Sequence, residues 1–498
     1  MILESLSLVV VGLCAVGTFV GIVFGAIPGL TAAMGVILFL PFTYKMTAVE
    51  SFALLLGIYC GGTYGGSISA ILLKTPGTAS AAATVLDGHV MAQKGEGKKA
   101  LSAAVVGSFF GGIFSCAILI LLSAKLASVA LKFGPAEYFA LGIFGMSIVA
   151  SLSADNLAKG LLSAALGLLI STVGMDPVSG TMRFAFGQSQ LYGGISAIPA
   201  LIGVFAIAEV FIKMEKASTA VEEDPMKLTG GSGVSLKEVK NNAFNIVRSA
   251  ILGTIVGIIP ATGSAIAAWL GYNTAKNSSK NPEEFGTGIV EGVFAPETAN
   301  NAVTGGALIP LLTLGIPGDM VTAIMLGALT IQGLTPGILL FQQHYDIVVG
   351  IYVIMILANI FMLIFGLYGS RLFVKVLKVP MKVLMPVVMI LCFVGSFALN
   401  NRMFDMWVAL IMGFVGFLFS KVDIPVPPLL LGLLLGQMVE SNFIRAMTIT
   451  KNGWLIFITS PISCGLLIVA VLFAAVPIIK NHLNKKRAGK VSAPNIDM

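Results

Sequence analysis

Charge is scarce in this chain: thirty basic and twenty-three acidic residues make up 11% of 498, against roughly one residue in four in a soluble domain. A soluble fold of this size is excluded. Hydrophobic residues reach 57% and the mean hydropathy is +0.96, so too little polar surface remains to cover a water-exposed globule. Histidine is nearly missing: His89, His344 and His482 stand in no metal-ligand spacing. Cys14, Cys60, Cys116, Cys392 and Cys464 are scattered singly through apolar stretches, which excludes a disulfide framework and a thiolate metal site. No Gly-rich stretch ends in the Gly-Lys-Ser/Thr of a nucleotide-binding loop, and no Ser, His and Asp grouping is readable. Neither an enzyme nor a resident cofactor is expected.

What is present is a series of long apolar runs between Leu6 and Ile479, of lengths that suit helices crossing a hydrocarbon core about 30 Å thick. Ten to twelve such segments are counted, and their continuity excludes a β-barrel, whose strands alternate. The expected fold is an all-α polytopic membrane protein. Basic residues fall between the runs, in Lys94-Gly95-Glu96-Gly97-Lys98-Lys99 and in a tail from Lys480 to Lys490. That is the positive-inside pattern rather than a nucleic-acid surface, so this loop and the C-terminal tail are expected in the cytoplasm. Met1-Ile2-Leu3-Glu4 has no basic n-region, and the first apolar run reads as a transmembrane helix rather than a cleaved signal.

The one long polar interruption, residues 214–241, divides the chain into two transmembrane repeats, 1–213 and 242–480, with residues 481–498 as the basic tail. The repeats share a pattern. Gly25-Ala26-Ile27-Pro28-Gly29-Leu30-Thr31 answers to Gly257-Ile258-Ile259-Pro260-Ala261-Thr262-Gly263, and Gly65-Gly66 with Pro76-Gly77-Thr78 answers to Gly305-Gly306 with Pro317-Gly318-Asp319. The separation is about 232 positions at the first match and about 240 at the second. Each half thus opens with a helix broken at Gly-x-x-Pro and continues into a Gly, Ser and Thr-rich segment whose midpoint is Pro-Gly.

Proline removes a backbone donor and disfavours a helical residue before it, while glycine permits a turn, so Pro76-Gly77 and Pro317-Gly318 read as tips of re-entrant hairpins. Their flanks, Ser67 to Thr75 with Thr78 to Leu86 and Ala307 to Ile316 with Met320 to Leu329, are about nine or ten residues each, near half a bilayer as helix. A simple kink between two full spans is the bland alternative. Broken backbone at membrane depth survives only where protein or a water-filled cavity surrounds it, and paired breaks in two repeats point to a binding site. Free N–H groups of half-helices suit an anion, which makes Gly29, Thr31, Ser67, Ser69, Thr75, Pro76, Gly77, Thr78, Thr262, Gly263, Ser264, Pro317 and Gly318 the candidate substrate-binding residues. Any single hydroxyl among them serves helix packing equally well. Lys74, one turn before the first tip, either compensates an anionic substrate or snorkels to the interface. Glu297, Asn300, Asn301, Thr304 and Asp319 group oxygens as a hard cation requires, so they are the candidate cation site; Glu297 as a proton carrier or a helix-end acid is the alternative.

These motifs, together with Gly57-Ile58-Tyr59-Cys60-Gly61-Gly62-Thr63-Tyr64-Gly65-Gly66-Ser67-Ile68 and Ala295-Pro296-Glu297-Thr298-Ala299-Asn300-Asn301-Ala302, resemble the large membrane subunit of the tripartite tricarboxylate transporters, the TctA family, over nearly the whole chain. The resemblance implies a secondary transporter of the bacterial inner membrane that works with a small membrane subunit and a periplasmic solute-binding protein delivering a di- or tricarboxylate. Lys74 stands where the family usually has Asn, and Asp319 where a small residue is usual; each changes the site's charge by one. Electrostatics independently requires a coupling ion. Bringing a trivalent anion into a cell 100 mV negative inside costs about 7 kcal/mol before any gradient is counted. Na⁺ is the first expectation and H⁺ the second, because the site offers amides and hydroxyls but no histidine relay. A stand-alone carrier or channel for another small solute is the alternative function.

Overall fold

The computed structural model describes residues 7–130, 133–147, 156–176, 178–216, 232–259, 263–449, 453–472 and 474–475. The basic tail and most of the polar interruption, residues 217–231, lie outside the described residues, as do Pro260, Ala261 and Thr262. The chain forms two compact units, one of Met1–Leu131 with Ile198–Phe417, the other of Lys132–Ala197 with Leu418–Met498.

The first unit begins with α1 (Leu8–Ala26), whose cap Ser7 accepts the Val10 amide at 3.3 Å and which stops at extended Ile27, the residue before Pro28. After the break come α2 (Ala32–Phe39) and a 3₁₀ turn, Leu40–Lys45. A capping box between Thr47 and Glu50 starts α3 (Ala48–Leu73), followed by α4 (Gly97–Ala130). The second unit supplies α5 (Pro135–Ser147) and α6 (Leu157–Ser171). Back in the first unit are α7 (Ala197–Glu215), with a π-helical stretch at Ile202–Ile207, then α8 (Leu236–Asn241) and α9 (Ala243–Ile258). The second break leads to α10 (Gly263–Ser278), α11 (Glu291–Leu314), α12 (Met320–Ile331), α13 (Tyr345–Tyr368), α14 (Met381–Asn400) and α15 (Met403–Lys421). At α8, Glu238 caps Ser235 and pairs with Lys99 at 2.7 Å; the Lys99 ammonium and the Ser235 bonds hold its carboxyl down to about 2.

In the second unit, α16 (Pro427–Ile449) packs on both α5 and α6. Glycines make that contact close: a β-carbon at Gly432 would fall 2.3 Å from the Ala164 carbonyl oxygen, and one at Gly167 would fall 2.1 Å from that of Leu429. Arg183, on a short antiparallel ribbon of Gly174–Met175 and Met182–Arg183, forks onto the Glu440 carboxylate.

Seven described helices, α1, α3, α4, α7, α13, α14 and α15, are long and apolar enough to cross a membrane, and a bent pair, Gly453–Thr459 with Pro461–Leu472, makes up to eight. The other apolar runs fold as shorter helices, among them α6, α9 and α12. The molecule is an all-α polytopic membrane protein.

Each half repeats one motif. α1 packs on α3 and α9 packs on α11. Gly17, Gly21 and Gly25 lie against Leu54, Ile58 and Gly62 in steady parallel register, while Gly253 and Gly257 lie against Ala299 and Val303. Small residues let these backbones touch, as membrane helices require when no hydrophobic driving force separates helix from lipid.

Candidate functional site

The site grows from glycine contacts that recur in both halves. A β-carbon on Gly77 would meet the Gly25 carbonyl oxygen at 2.1 Å and the Gly66 Cα at 3.1 Å; one on Gly318 would meet the Gly257 carbonyl oxygen at 2.7 Å and the Ala307 Cα at 2.6 Å. Each Pro-Gly corner therefore folds back onto the helix break of its own half, and the Gly77 amide donates to the Gly66 carbonyl at 3.2 Å. The sequence expectation of short ascending limbs is corrected here. α3 and α11 run unbroken for 26 and 24 residues up to the corners, because burial on every side satisfies a Gly and Ser-rich helix that would be weak alone. Pro296 and Pro310 are both accommodated within α11.

The two long helices pass one another antiparallel. Ascending α3, Tyr59 meets Asp319, Cys60 meets Thr304, Thr63 meets Asn300, and Tyr64 and Ser67 meet Glu297. The repeat offset exchanges the Cys60 and Thr63 contacts, which is the relation produced by a two-fold axis perpendicular to both helices. The packing agrees: α13 lies on α3 as α4 lies on α11, and α12 lies on α2 as α10 lies on Ala79–Ala81. Thr78, at the level of Gly66, and Asp319, at the level of Tyr59, are thus about seven residues or about 10 Å apart along α3. The returning limbs converge on the crossing from opposite sides.

Within this frame the candidate residues separate. Glu297 is wholly buried, with its carboxylate accepting from Thr84 Oγ1 at 2.5 Å and Ser108 Oγ at 3.2 Å. Asn301 Nδ2 donates to Ser108 Oγ at 2.7 Å and Asn300 Nδ2 to the Thr63 carbonyl at 3.1 Å, while the Oδ1 atoms of both amides and Thr298 Oγ1 have no partner. Thr304 turns its hydroxyl back onto the Asn301 carbonyl at 2.7 Å. Asp319 lies further along the hairpin: its neighbour Gly318 packs on Ala307, ten residues or about 15 Å along α11 from Glu297. Asp319 caps α12, accepting the Thr322 amide at 2.8 Å and the Tyr59 hydroxyl at 2.5 Å.

On the substrate side, Gly29 holds a left-handed φ of +90° and Thr31 caps α2 through the Met34 amide at 3.2 Å. Ser67 and Ser69 are buried, donating to the Tyr64 and Gly66 carbonyls. Thr78 Oγ1 and Ser80 Oγ are 2.9 Å apart, and Thr75 donates back to the Leu73 carbonyl. Pro317 and Gly318 are buried at the second corner; Gly263, with φ +72°, opens α10 with Ser264. Thr262 lies outside the described residues. Lys74 is exposed, terminates α3 in the left-handed conformation at φ 59°, and lies about 16 Å along α3 from the crossing.

Sequence reasoning gave no role to Tyr59, although it stands within the Gly57 to Ile68 motif, and missed Thr84 and Ser108, which are lone polar residues with no pattern of their own. Asp87 likewise stands outside the candidate residues named from the sequence. Asp87 is fully buried, and its carboxylate takes the amides of Gly286, Gly288 and Ile289 at 2.8–3.1 Å and the Tyr272 hydroxyl at 2.9 Å. It pins the first hairpin's return to the second half.

The model of the Tripartite tricarboxylate transporter TctA family matches residues 11–431. Among similar proteins is an uncharacterised 52.8 kDa protein of the TAR-I ttuC′ 3′ region of Agrobacterium vitis, 38% identical over 475 residues, 95% of this chain and 94% of that protein. Another, from the TAR-II ttuC′ 3′ region of the same organism, is 38% identical over 232 residues, 46% of this chain and 96% of that protein. No solved structure matches. Spanning helices, duplicated breaks and this match over most of the length lead to one assignment: the chain belongs to the tripartite tricarboxylate transporter TctA family, a family of transporters.

Proposed function

We propose that this chain is the large permease subunit that imports a di- or tricarboxylate, citrate-like, across the bacterial inner membrane, driven by a cation gradient and fed by a periplasmic binding protein with a small membrane subunit. The α3/α11 crossing lies at the bilayer midplane, and the returning limbs cradle the solute there. One observation carries the reading: a buried carboxylate, Glu297, held by the Thr84 and Ser108 hydroxyls, with no described basic side chain bonded to it, and one turn further along α11 the amide oxygens of Asn300 and Asn301, which lack donors. A buried charge of this kind demands a counter-ion. Na⁺ suits hard, neutral oxygens around one carboxylate, and H⁺ is the alternative ion.

Uptake of labelled citrate into vesicles containing all three components is the test. Imposing an inward Na⁺ gradient should accelerate it, and Glu297→Gln should remove that dependence and slow uptake about 100-fold, the effect of about 2.7 kcal/mol at a charged, hydrogen-bonded site. Uptake indifferent to Na⁺ but driven by a pH gradient would replace the ion. Uptake persisting without the binding protein would overturn the tripartite reading in favour of a stand-alone carrier.

A further inference from the structure

We propose that Lys213 is the charge that receives a substrate carboxylate at the first helix break. This rests on the functional reading above and assigns to it a residue outside every sequence motif.

Lys213 lies near the end of α7, and its side chain turns onto the break between α1 and α2. A β-carbon on Gly29 would fall 2.1 Å from Lys213 Cε and 2.2 Å from Nζ. The ammonium thus occupies the space that any other residue at position 29 would fill. Gly29 is required twice over, for its φ of +90° and for this approach. The one described partner of the ammonium is Glu209, one turn back on the same helix and 3.7 Å away, too long for a hydrogen bond. Its N–H donors remain available to a ligand.

The surroundings favour an anion. α2 starts two residues after Thr31's neighbour Leu30, and the partial positive charge of its first turn adds to that of Lys213. Thr31 and the returning Gly77 border the same break. The first break is therefore the carboxylate end of the site, and the oxygen-rich Glu297 cluster is its cation end.

Citrate uptake by the complete three-component vesicles separates the possibilities. Lys213→Gln should raise the half-saturating citrate concentration about tenfold or more with the Na⁺ dependence kept, and Lys213→Arg should hold it within about threefold, since a guanidinium retains the charge-assisted bond. Wild-type vesicles that carry no carboxylate would sink the functional reading itself. Wild-type uptake with Lys213→Gln equal to it in half-saturation would sink the role of Lys213 alone. Should Lys213→Gln fail to fold, reductive methylation of the wild-type protein gives the answer: citrate should protect Lys213 where NaCl of equal ionic strength does not, and equal labelling under both conditions overturns the proposal.

Discussion

The two hairpins are built on one backbone plan and loaded with different chemistry. In both, a corner glycine rests on a carbonyl oxygen of its own half's broken helix, Gly77 on Gly25 and Gly318 on Gly257. Beyond that they diverge. The second hairpin returns as a regular helix, α12, capped by Asp319. The first returns through a 3₁₀ turn at Ala79–Ala81 and a π-helical turn at Val85–His89, so few of its backbone groups follow the α-helical ladder. Side-chain bonds hold it instead: Asp87 to the second half, His89 Nδ1 to the Ile71 carbonyl at 2.9 Å, and Thr84 to Glu297. One limb is fixed by its own helix and the other by what it touches. An irregular limb tied to the proposed cation ligand is the one whose position can respond to that ligand.

The sharpest way to break this comparison is to add a methyl group to each corner. Gly77→Ala should abolish transport and destabilise the protein by about 3 kcal/mol, because its β-carbon meets rigid backbone at 2.1 Å. Gly318→Ala, with contacts of 2.6 Å and 2.7 Å, should cost less, about 1 to 2 kcal/mol. Thermal unfolding of the purified proteins together with citrate uptake measures both, and equal effects would show that the first corner is no tighter.

A second test weakens the anchor of the irregular limb. Asp87→Asn keeps the shape but loses the charge behind its amide bonds, so a loss of about 2 kcal/mol is expected. Hydrogen exchange should rise across Val85–His89 and leave α12 unchanged; an equal rise in α12 would mean that the limbs are not separately held. The smallest effect expected is a gain. Lys74→Gly replaces a left-handed lysine with the residue that adopts this conformation freely, raising stability by about 1 kcal/mol. A lower melting temperature would reveal a stabilising contact for the Lys74 side chain.

Much of this was legible along the chain. The scarcity of charge and the apolar runs fix the solvent as lipid, and the Gly-x-x-Pro breaks with Pro-Gly corners appear in both halves at matching separations, since backbone restriction by proline and glycine is local. Lengths were less legible. Whether Ser67 to Thr75 is a half-helix or the end of a longer one depends on what surrounds it, and burial inside other helices made α3 continuous. The grouping of Glu297, Asn300 and Asn301 follows from helical spacing, whereas the bonds of Asp319, to the first turn of α12 and to Tyr59, appear only in the fold.

The sequence alone therefore determined the lipid-spanning class, the duplication and the places where helices break, all consequences of composition and local backbone chemistry. Only the tertiary structure decided which polar groups share a site. Glu297 joins Thr84 and Ser108 from the other half, Asp87 reaches Tyr272, and Lys213 covers Gly29. Those pairings span long stretches of chain and are set by the antiparallel crossing of α3 and α11, a packing of backbones through glycine that no single segment encodes.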